Sequence, residues 1–367
     1  MSSAPQVGRG QVLAYRTIAN GLRERLDGAP DPLAVLDLGV PNVPAGTARQ
    51  ALAARCTDPL GGALALAWTT RGAPHLHRPA DLPALAAALW PLDDADAAAR
   101  FATGQLTPAA GALGIEAFRV TAAALQSVVR APTAKGEVSR AVSDRVPPEL
   151  TYDCRPCAAR HISGGLFQQA ALAGGVALDE DAAKTVLIPA TPRPPIPSSS
   201  SGTSRLVRTY LHLLGPATIG DVAKYLGTTA GSLKPAWPSD LAEVSVDGRR
   251  AWLPADDLDA LRSARPIRGV RLLPPSDPFL QARDRAVLVP DKSQSKEVWR
   301  ILGNPGVVLL DGEIAGTWRA RVARKRLELT VTPWLPLSAE TRRDLESEAQ
   351  TVAAARSLLS ADVLGLS

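Results

Sequence analysis

The segment between residues 217 and 253 constrains the fold more than any other part of the chain. Residues 217–226 place apolar side chains at helical spacing behind Thr218, a residue type that caps helices. The Gly-Thr-Thr sequence at residues 227–229 predicts a turn, and residues 230–234 predict a second short helix that ends at Pro235. The pattern indicates a helix-turn-helix.

A β-hairpin is predicted directly after these two helices. Residues 241–253 alternate in polarity around Asp247-Gly248, and Asp-Gly is a strong signal for a two-residue hairpin turn. Two helices followed by a hairpin with basic residues at its tip indicate a winged helix, in which Arg249 and Arg250 would contact DNA phosphates. The alternative is a small packing subdomain that contacts no nucleic acid.

Composition is compatible with a DNA-binding protein but does not require one. The formal net charge is +5 and the sequence pI is about 9.3, with an excess of arginine, which makes bidentate contacts to phosphate. A mildly basic enzyme without a nucleic-acid partner would look the same. The polar N-terminus and the lack of a long apolar run predict neither a signal peptide nor a membrane contact, and three cysteines fit a reducing cytoplasm.

Composition and hydrophobic periodicity divide the chain into six segments. Apolar runs at 270–273, 286–289, 306–310, 313–319 and 326–332 predict strands, and residues 338–359 predict a final amphipathic helix. The expected segments are an N-terminal helical or winged-helix domain (1–130), a second winged-helix-like segment (131–187), a Pro/Ser-rich linker (188–203), a winged helix (204–262), a β-rich domain (263–336) and a C-terminal helix (337–367).

Three further segments together resemble a known family. They are Trp-Thr-Thr-Arg-Gly-Ala-Pro-His at 68–75, Leu-Pro-Pro-Ser-Asp-Pro-Phe-Leu at 273–280 with Arg-Asp-Arg at 283–285, and Asp-Gly-Glu-Ile-Ala-Gly-Thr-Trp-Arg at 311–319. In order and spacing the chain resembles the winged-helix family of bacterial DNA glycosylases that includes AlkZ and YcaQ (AlkX), in an actinobacterial branch. The resemblance implies an α+β fold with tandem winged-helix motifs, followed by a small β-sheet or barrel domain and a C-terminal helix.

The same resemblance implies a chemistry. Characterised members excise bulky N-alkylated purines and unhook interstrand crosslinks, and some protect producers of DNA-damaging natural products. They use a Gln-x-Gln or Gln-x-Asp motif just after a Leu-Gly-hydrophobic segment. Here Leu38-Gly39-Val40 is in register, but the two polar positions of the motif hold Pro41 and Val43. Neither side chain can orient a water molecule.

The departure from the motif leaves Asn42 and Asp37 as the candidate catalytic residues. Base excision passes through an oxocarbenium-like sugar and needs an anion or a positioned nucleophile beside C1′. Asn42 could hydrogen-bond a water molecule but cannot accept its proton, and Asp37 is an acid nearby in sequence that could equally face solvent. Glycosylase activity and non-catalytic binding of modified DNA, as by a regulator, therefore both stay open.

The remaining candidates are residues that would contact DNA. Trp68, Arg71 and His75 could hold a phosphate or the edge of a flipped base, although Arg71 could instead pair with an internal carboxylate. A dense basic run could contact phosphates or simply form a solvated sheet edge. Its residues are Arg319, Arg321, Arg324, Lys325 and Arg326.

One group of residues has the spacing of a zinc site but lacks a full set of ligands. Cys154, Cys157 and His161 have zinc-like spacing, but a structural zinc needs a fourth ligand, for which Cys56 is the one other cysteine. The alternative is that Cys154 and Cys157 are small buried residues at a strand-to-helix corner. We therefore predict no metal and no cofactor, and a monomer whose partner is double-stranded DNA, including alkylated or crosslinked DNA.

Overall fold

The computed structural model describes residues 4–101, 108–155 and 158–365. Its α-helices are α1 (Arg9–Ala19), α2 (Thr47–Ala53), α3 (Leu82–Ala88), α4 (Asp94–Phe101), α5 (Pro108–Ala112), α6 (Ile115–Val128), α7 (Lys135–Ser143), α8 (Gly164–Gln169), α9 (Thr203–Leu214), α10 (Ile219–Leu226), α11 (Ala230–Leu233), α12 (Leu258–Ser263), α13 (Arg285–Leu288), α14 (Lys292–Val298) and α15 (Ala339–Ala354). None of the described helices is both long and apolar enough to cross a membrane.

The strands are β1 (Gln6–Val7), β2 (Val40–Pro41), β3 (Ala65–Trp68), β4 (Pro74–His77), β5 (Thr133–Ala134), β6 (Thr151–Cys154), β7 (Ala159–Ile162), β8 (Val176–Leu178), β9 (Val186–Pro189), β10 (Leu241–Val246), β11 (Arg249–Pro254), β12 (Val270–Leu273), β13 (Gly306–Leu310), β14 (Glu313–Ala323), β15 (Arg326–Pro333) and β16 (Ser360–Leu364). Helices and strands together make a mixed α+β fold, which is the fold class that the sequence predicts.

The chain forms two compact units, each built from separate stretches of sequence. Unit 1 comprises residues 1–62, 209–218 and 240–367, and unit 2 comprises residues 63–208 and 219–239. The linear division into six segments therefore stays a sequence-based interpretation, because the first 62 residues fold with the last third of the chain.

A five-stranded sheet in the order β12-β13-β14-β15-β16 is the centre of unit 1. Helix α15 covers it and buries Leu345, Ala349 and Val352 against Val308 and Leu329. Ser338 caps that helix, since its hydroxyl accepts a hydrogen bond from the Thr341 backbone N–H. A second, three-stranded sheet in the order β1-β10-β11 belongs to the same unit.

Unit 2 joins a sheet to several short helices. Its strands pair in the order β4-β3-β8-β9-β5, and β6 and β7 form a separate hairpin. The Pro/Ser-rich segment lacks regular structure after β9, as its composition predicts, yet it packs onto this unit. Thr203 donates a hydrogen bond to the Ala88 carbonyl, and Arg193 donates to the carbonyls of Gln126 and Val129.

Helices α10 and α11 and the hairpin of β10 and β11 lie where the sequence predicts two helices and a hairpin. Gly227 separates α10 from α11 with a φ of +77°, in the left-handed region that favours glycine. The hairpin of β10 and β11 turns at Asp247-Gly248, with Val246 opposite Arg249. Local turn chemistry was sufficient to place these elements.

Two elements differ from expectation. The apolar run at 286–289 was predicted to be a strand, but α13 occupies it, because a short apolar run fits either structure. The predicted C-terminal helix ends at Ala354, and the chain then adds β16 parallel to β15. The strand follows a turn at Ser357, whose φ is +54°.

Candidate functional site

The loop that carries the altered motif is held firmly in unit 1. It runs from β2 to α2, and Gly46 precedes that helix with a φ of +84°. The Asn42 side-chain oxygen accepts a hydrogen bond from the Ala48 backbone N–H at 3.3 Å, and the Thr47 hydroxyl donates to the Pro44 carbonyl at 2.7 Å. Asn42 is 8% exposed. The Asn42 amide thus supports the loop.

The other residues in and near the motif differ in their exposure to solvent. Pro41 is buried, whereas Val43 is 41% exposed, and neither offers a polar side-chain atom. Asp37 ends the 3-10 turn Ala34–Asp37 and is exposed. The catalytic assignment of Asn42 and Asp37 stays a prediction.

A cavity of about 190 Å³ opens beside this loop. The motif loop and α2 contribute Pro44, Ala45, Thr47 and Gln50 to its lining. The other lining residues come from β13, β14 and further segments, and they are Pro275, Asn304, Pro305, Gly306, Trp318, Arg319, Ala320 and Arg356. The lining combines amide, hydroxyl and guanidinium groups, and none of the described residues that form it is a carboxylate.

Two arginines give the cavity its charge. Arg319 donates a hydrogen bond to the Gly303 carbonyl at 2.7 Å, which fixes the guanidinium at the rim. Partial burial lowers the pKa of Arg356, although a guanidinium stays protonated in proteins. Two guanidinium groups in one cavity can hold a phosphate through charge-assisted hydrogen bonds.

Sequence reasoning missed Gln50 and Arg356. Gln50 is 5% exposed and lies one helical turn before Ala53 and Ala54, which are both buried. A polar residue on an otherwise apolar helix face was the available signal. Arg356 lies just past the end of α15, and no local pattern separates it from an ordinary C-terminal cation.

Two buried ion pairs hold the frame around the loop. Arg55 donates to both carboxylate oxygens of Asp277, at 2.7 and 2.8 Å, and both side chains are fully buried. Arg16 pairs with Asp284 at 2.6 Å in the same manner. Asp277 and Asp284 belong to the segments at 273–280 and 283–285, so those segments anchor α1 and the end of α2.

Trp68 and His75 lie in the interior of unit 2. Trp68 is 4% exposed, with Phe167 edge-on at 5.8 Å and the Lys135 ammonium 5.6 Å from its ring. His75 is 4% exposed and donates from Nδ1 to the Ala73 carbonyl at 2.8 Å. Burial lowers the pKa of His75 to about 4, so the ring is neutral at physiological pH. These contacts favour a structural role over DNA contact.

Arg71 is the exposed member of that trio. It occupies the turn Thr70–Gly72 with a φ of +57°. Its side chain lies over the turn between α10 and α11, since a Cβ at Gly227 would come within 2.8 Å of Arg71 Cγ. Unit 2 therefore brings Arg71 next to the turn between α10 and α11.

The basic hairpin tips are exposed, and some of their charges are paired. Arg250 donates to Glu243 at 2.6 Å and lies 5.7 Å from the centre of the Trp252 ring, and this hydrogen bond lowers the pKa of Glu243. Arg249 is also exposed. An exposed pair of this kind contributes little to stability, so Arg250 can exchange Glu243 for a phosphate.

The second basic tip is the two-residue turn between β14 and β15. Arg324 and Lys325 both have positive φ, +49° and +64°, where Asn and Gly are the favoured residues. Arg326 pairs with Asp362 at 2.9 Å. Two cations thus occupy strained turn positions at the exposed end of the sheet.

The described residues contain no group of three or more His, Cys, Asp or Glu side chains that could hold a metal ion. Cys157, one member of the zinc-like pattern, lies outside the described residues. Burial raises the pKa of Cys56 to about 11, which keeps it a thiol.

The fold and the sequence of this chain are both similar to those of known proteins. Over 98% of this chain and all of the other, the fold is similar to the solved structure of the Streptomyces sahachiroi DNA glycosylase AlkZ, with a TM-score of 0.72 and 20% identity. A curated protein of the same organism, named interstrand DNA cross-link repair glycosylase, is 31% identical over 172 residues. That match spans 44% of this chain and 44% of the curated relative.

The family follows from a broader match. Residues 44–355 match the family described as DNA glycosylase AlkZ-like. The chain belongs to the AlkZ-like DNA glycosylase family, as its sequence motifs predict.

Proposed function

We propose that this protein binds double-stranded DNA and excises bulky alkylated or crosslinked purines, in DNA repair or self-resistance. The observation that carries the proposal is the family match over residues 44–355. The curated relative is named as a repair glycosylase for interstrand crosslinks, which supports this substrate class.

We also assign the residues that would contact DNA. The sequence predicts a winged helix from α10 and α11, which lie in unit 2, and the hairpin of β10 and β11, which lies in unit 1. We interpret Arg249 and Arg250 on that hairpin as phosphate contacts. Arg71 supports this assignment in unit 2 because it is exposed beside the turn at Gly227. Arg324 and Lys325 supply phosphate contacts at the other basic tip.

The cavity beside the motif loop is the proposed reaction site. Arg319 and Arg356 would hold a phosphate of the target nucleotide, because no carboxylate in the lining competes for them. An amide can orient the attacking water, and Gln50 joins Asn42 and Asp37 as a candidate for that role. Gln50 lines the cavity directly.

A second candidate function is non-catalytic recognition of modified DNA. Pro41 and Val43 favour it, since neither can orient water, and the carboxylate-free lining favours it further. The fold and the phosphate-binding groups would then serve binding alone.

One experiment separates the two candidates. Purified protein is incubated with a duplex containing an N7-alkylated guanine, and free modified base is measured by chromatography while binding is followed by fluorescence anisotropy. Base release by the wild type supports the glycosylase. Gln50→Ala, Asn42→Ala and Asp37→Asn are tested one at a time. We expect the variant that lacks the water-holding residue to lose base release and to keep its DNA affinity.

A restored motif gives the complementary result. Pro41→Gln combined with Val43→Gln should raise base release if the loop keeps its geometry. If the wild type and the restored variant both bind alkylated duplex and release nothing, the enzymatic proposal fails and recognition alone stands.

A further inference from the structure

The loop between α14 and β13 presents two large apolar side chains directly to solvent. Ile301 is 100% exposed and Leu302 is 86% exposed. Single exposed apolar residues are ordinary on protein surfaces, but two adjacent and almost fully exposed aliphatic side chains on one loop tip leave both without packing.

This tip is fixed in place. The Asn304 side-chain oxygen accepts a hydrogen bond from the Arg300 backbone N–H at 2.9 Å and so ties the two ends of the loop together. The Gly303 carbonyl accepts from the Arg319 guanidinium at 2.7 Å, and Gly303 itself has a φ of +65°. Ile301 and Leu302 therefore project from a braced turn.

The surroundings of the tip are cationic and belong to the proposed reaction site. Arg300 is exposed next to Ile301, and Asn304 and Arg319 line the cavity beside the motif loop. An apolar tip flanked by arginines matches duplex DNA, which offers apolar base faces between two lines of phosphates.

We propose that Ile301 and Leu302 form a wedge that enters the DNA base stack when the cavity receives the target nucleotide. Insertion would unstack a base step, and the aliphatic side chains would fill the space that the displaced base leaves. Arg319 links the two events, since its one guanidinium both braces the wedge and lines the cavity. This inference rests on the proposed DNA binding but needs no base excision.

The test uses a duplex with a tetrahydrofuran abasic site and 2-aminopurine, whose fluorescence rises on unstacking, as the neighbouring base. Anisotropy on the same duplex reports binding. We expect wild-type protein to raise the fluorescence, and the double variant Ile301→Ser, Leu302→Ser to bind with an affinity within about tenfold, because phosphate contacts dominate affinity, but without that rise. Leu335→Ser, at a leucine 69% exposed on another loop, is the matched control and should behave as wild type.

The outcomes separate the wedge from the proposed function. Absence of binding by wild-type protein would overturn both. Binding by wild type without a rise in fluorescence overturns the wedge and leaves DNA binding intact. A rise that persists in the double variant, or one that disappears equally in Leu335→Ser, also overturns the assignment of the wedge to Ile301 and Leu302.

Discussion

At the scale of single residues, the motif segments of this family have a dominant structural role in this chain. Asp277 is fully buried and is neutralised by Arg55, and its Oδ1 also accepts from the Phe279 backbone N–H at 2.9 Å. Removing one partner from such a pair leaves an unpaired buried charge, which costs about 3–5 kcal/mol of stability. The segment at 273–280 therefore holds the frame on which the cavity is built.

His75 provides a residue-scale prediction in unit 2. Burial lowers its pKa from 6.5 to about 4, so between those values the unfolded chain binds the proton more strongly than the folded one. Stability from this group is present above pH 6.5 and is lost as pH falls towards 4, by about 3 kcal/mol in total. We expect urea unfolding to show this acid-induced loss in wild type and its absence in His75→Gln.

The comparison of the two proteins isolates the histidine from the carboxylates, which titrate in both. An equal loss of stability in wild type and His75→Gln between pH 7 and 4.5 would contradict the assignment. A role for His75 in DNA binding would appear separately, as a loss of affinity at pH 7 in a variant that stays folded.

At the scale of elements, what the sequence predicted depended on how local the signal was. Gly227 and Asp247-Gly248 determine turns by their own conformational preferences, so the helix pair and the hairpin were placed correctly. The strand at 360–364 was missed because its pairing with β15 is a tertiary event. The meeting of Gln50 with Arg356 in one cavity was not predictable for the same reason, since only the tertiary fold brings together two residues so far apart in sequence.

The turn between β14 and β15 gives the element-scale prediction. Replacing Arg324 with Asn and Lys325 with Gly would put the favoured residues at two left-handed positions, which should raise stability by about 1–2 kcal/mol. The same change removes two cations from the exposed tip, so DNA affinity should fall and its salt dependence should become shallower. Thermal unfolding and anisotropy titrations measure the two effects.

The control for that variant is the other hairpin. Asp247→Asn keeps a residue suited to its φ of +47° and should leave stability nearly unchanged. Equal stability of the double variant and wild type would show that the Arg324-Lys325 turn is unstrained. Unchanged affinity would show that this tip contacts no DNA.

At the scale of the whole molecule, a net charge of +5 is modest for a DNA-binding protein, and its distribution decides more than its sum. Many arginines are consumed internally, as in the Arg16–Asp284 and Arg55–Asp277 pairs. Among the exposed cations, those at the two hairpin tips and around the cavity are the proposed phosphate contacts. Binding should therefore depend on a small set of phosphate contacts, which sets the size of the salt effect.

The final prediction follows from that set. Affinity for duplex DNA should fall as salt rises, with log Kd increasing linearly with the logarithm of the salt concentration. Each arginine or lysine that contacts a phosphate displaces condensed counterions, which salt opposes. Arg249→Ala with Arg250→Ala should shallow the slope by about 2 and weaken binding to all sequences alike, since phosphate contacts carry no base information. Arg23→Ala, at an exposed arginine paired with Glu24, is the matched control and should leave the slope unchanged. A slope that stays the same in the double variant, with folding intact, would mean that this hairpin is not a wing on DNA.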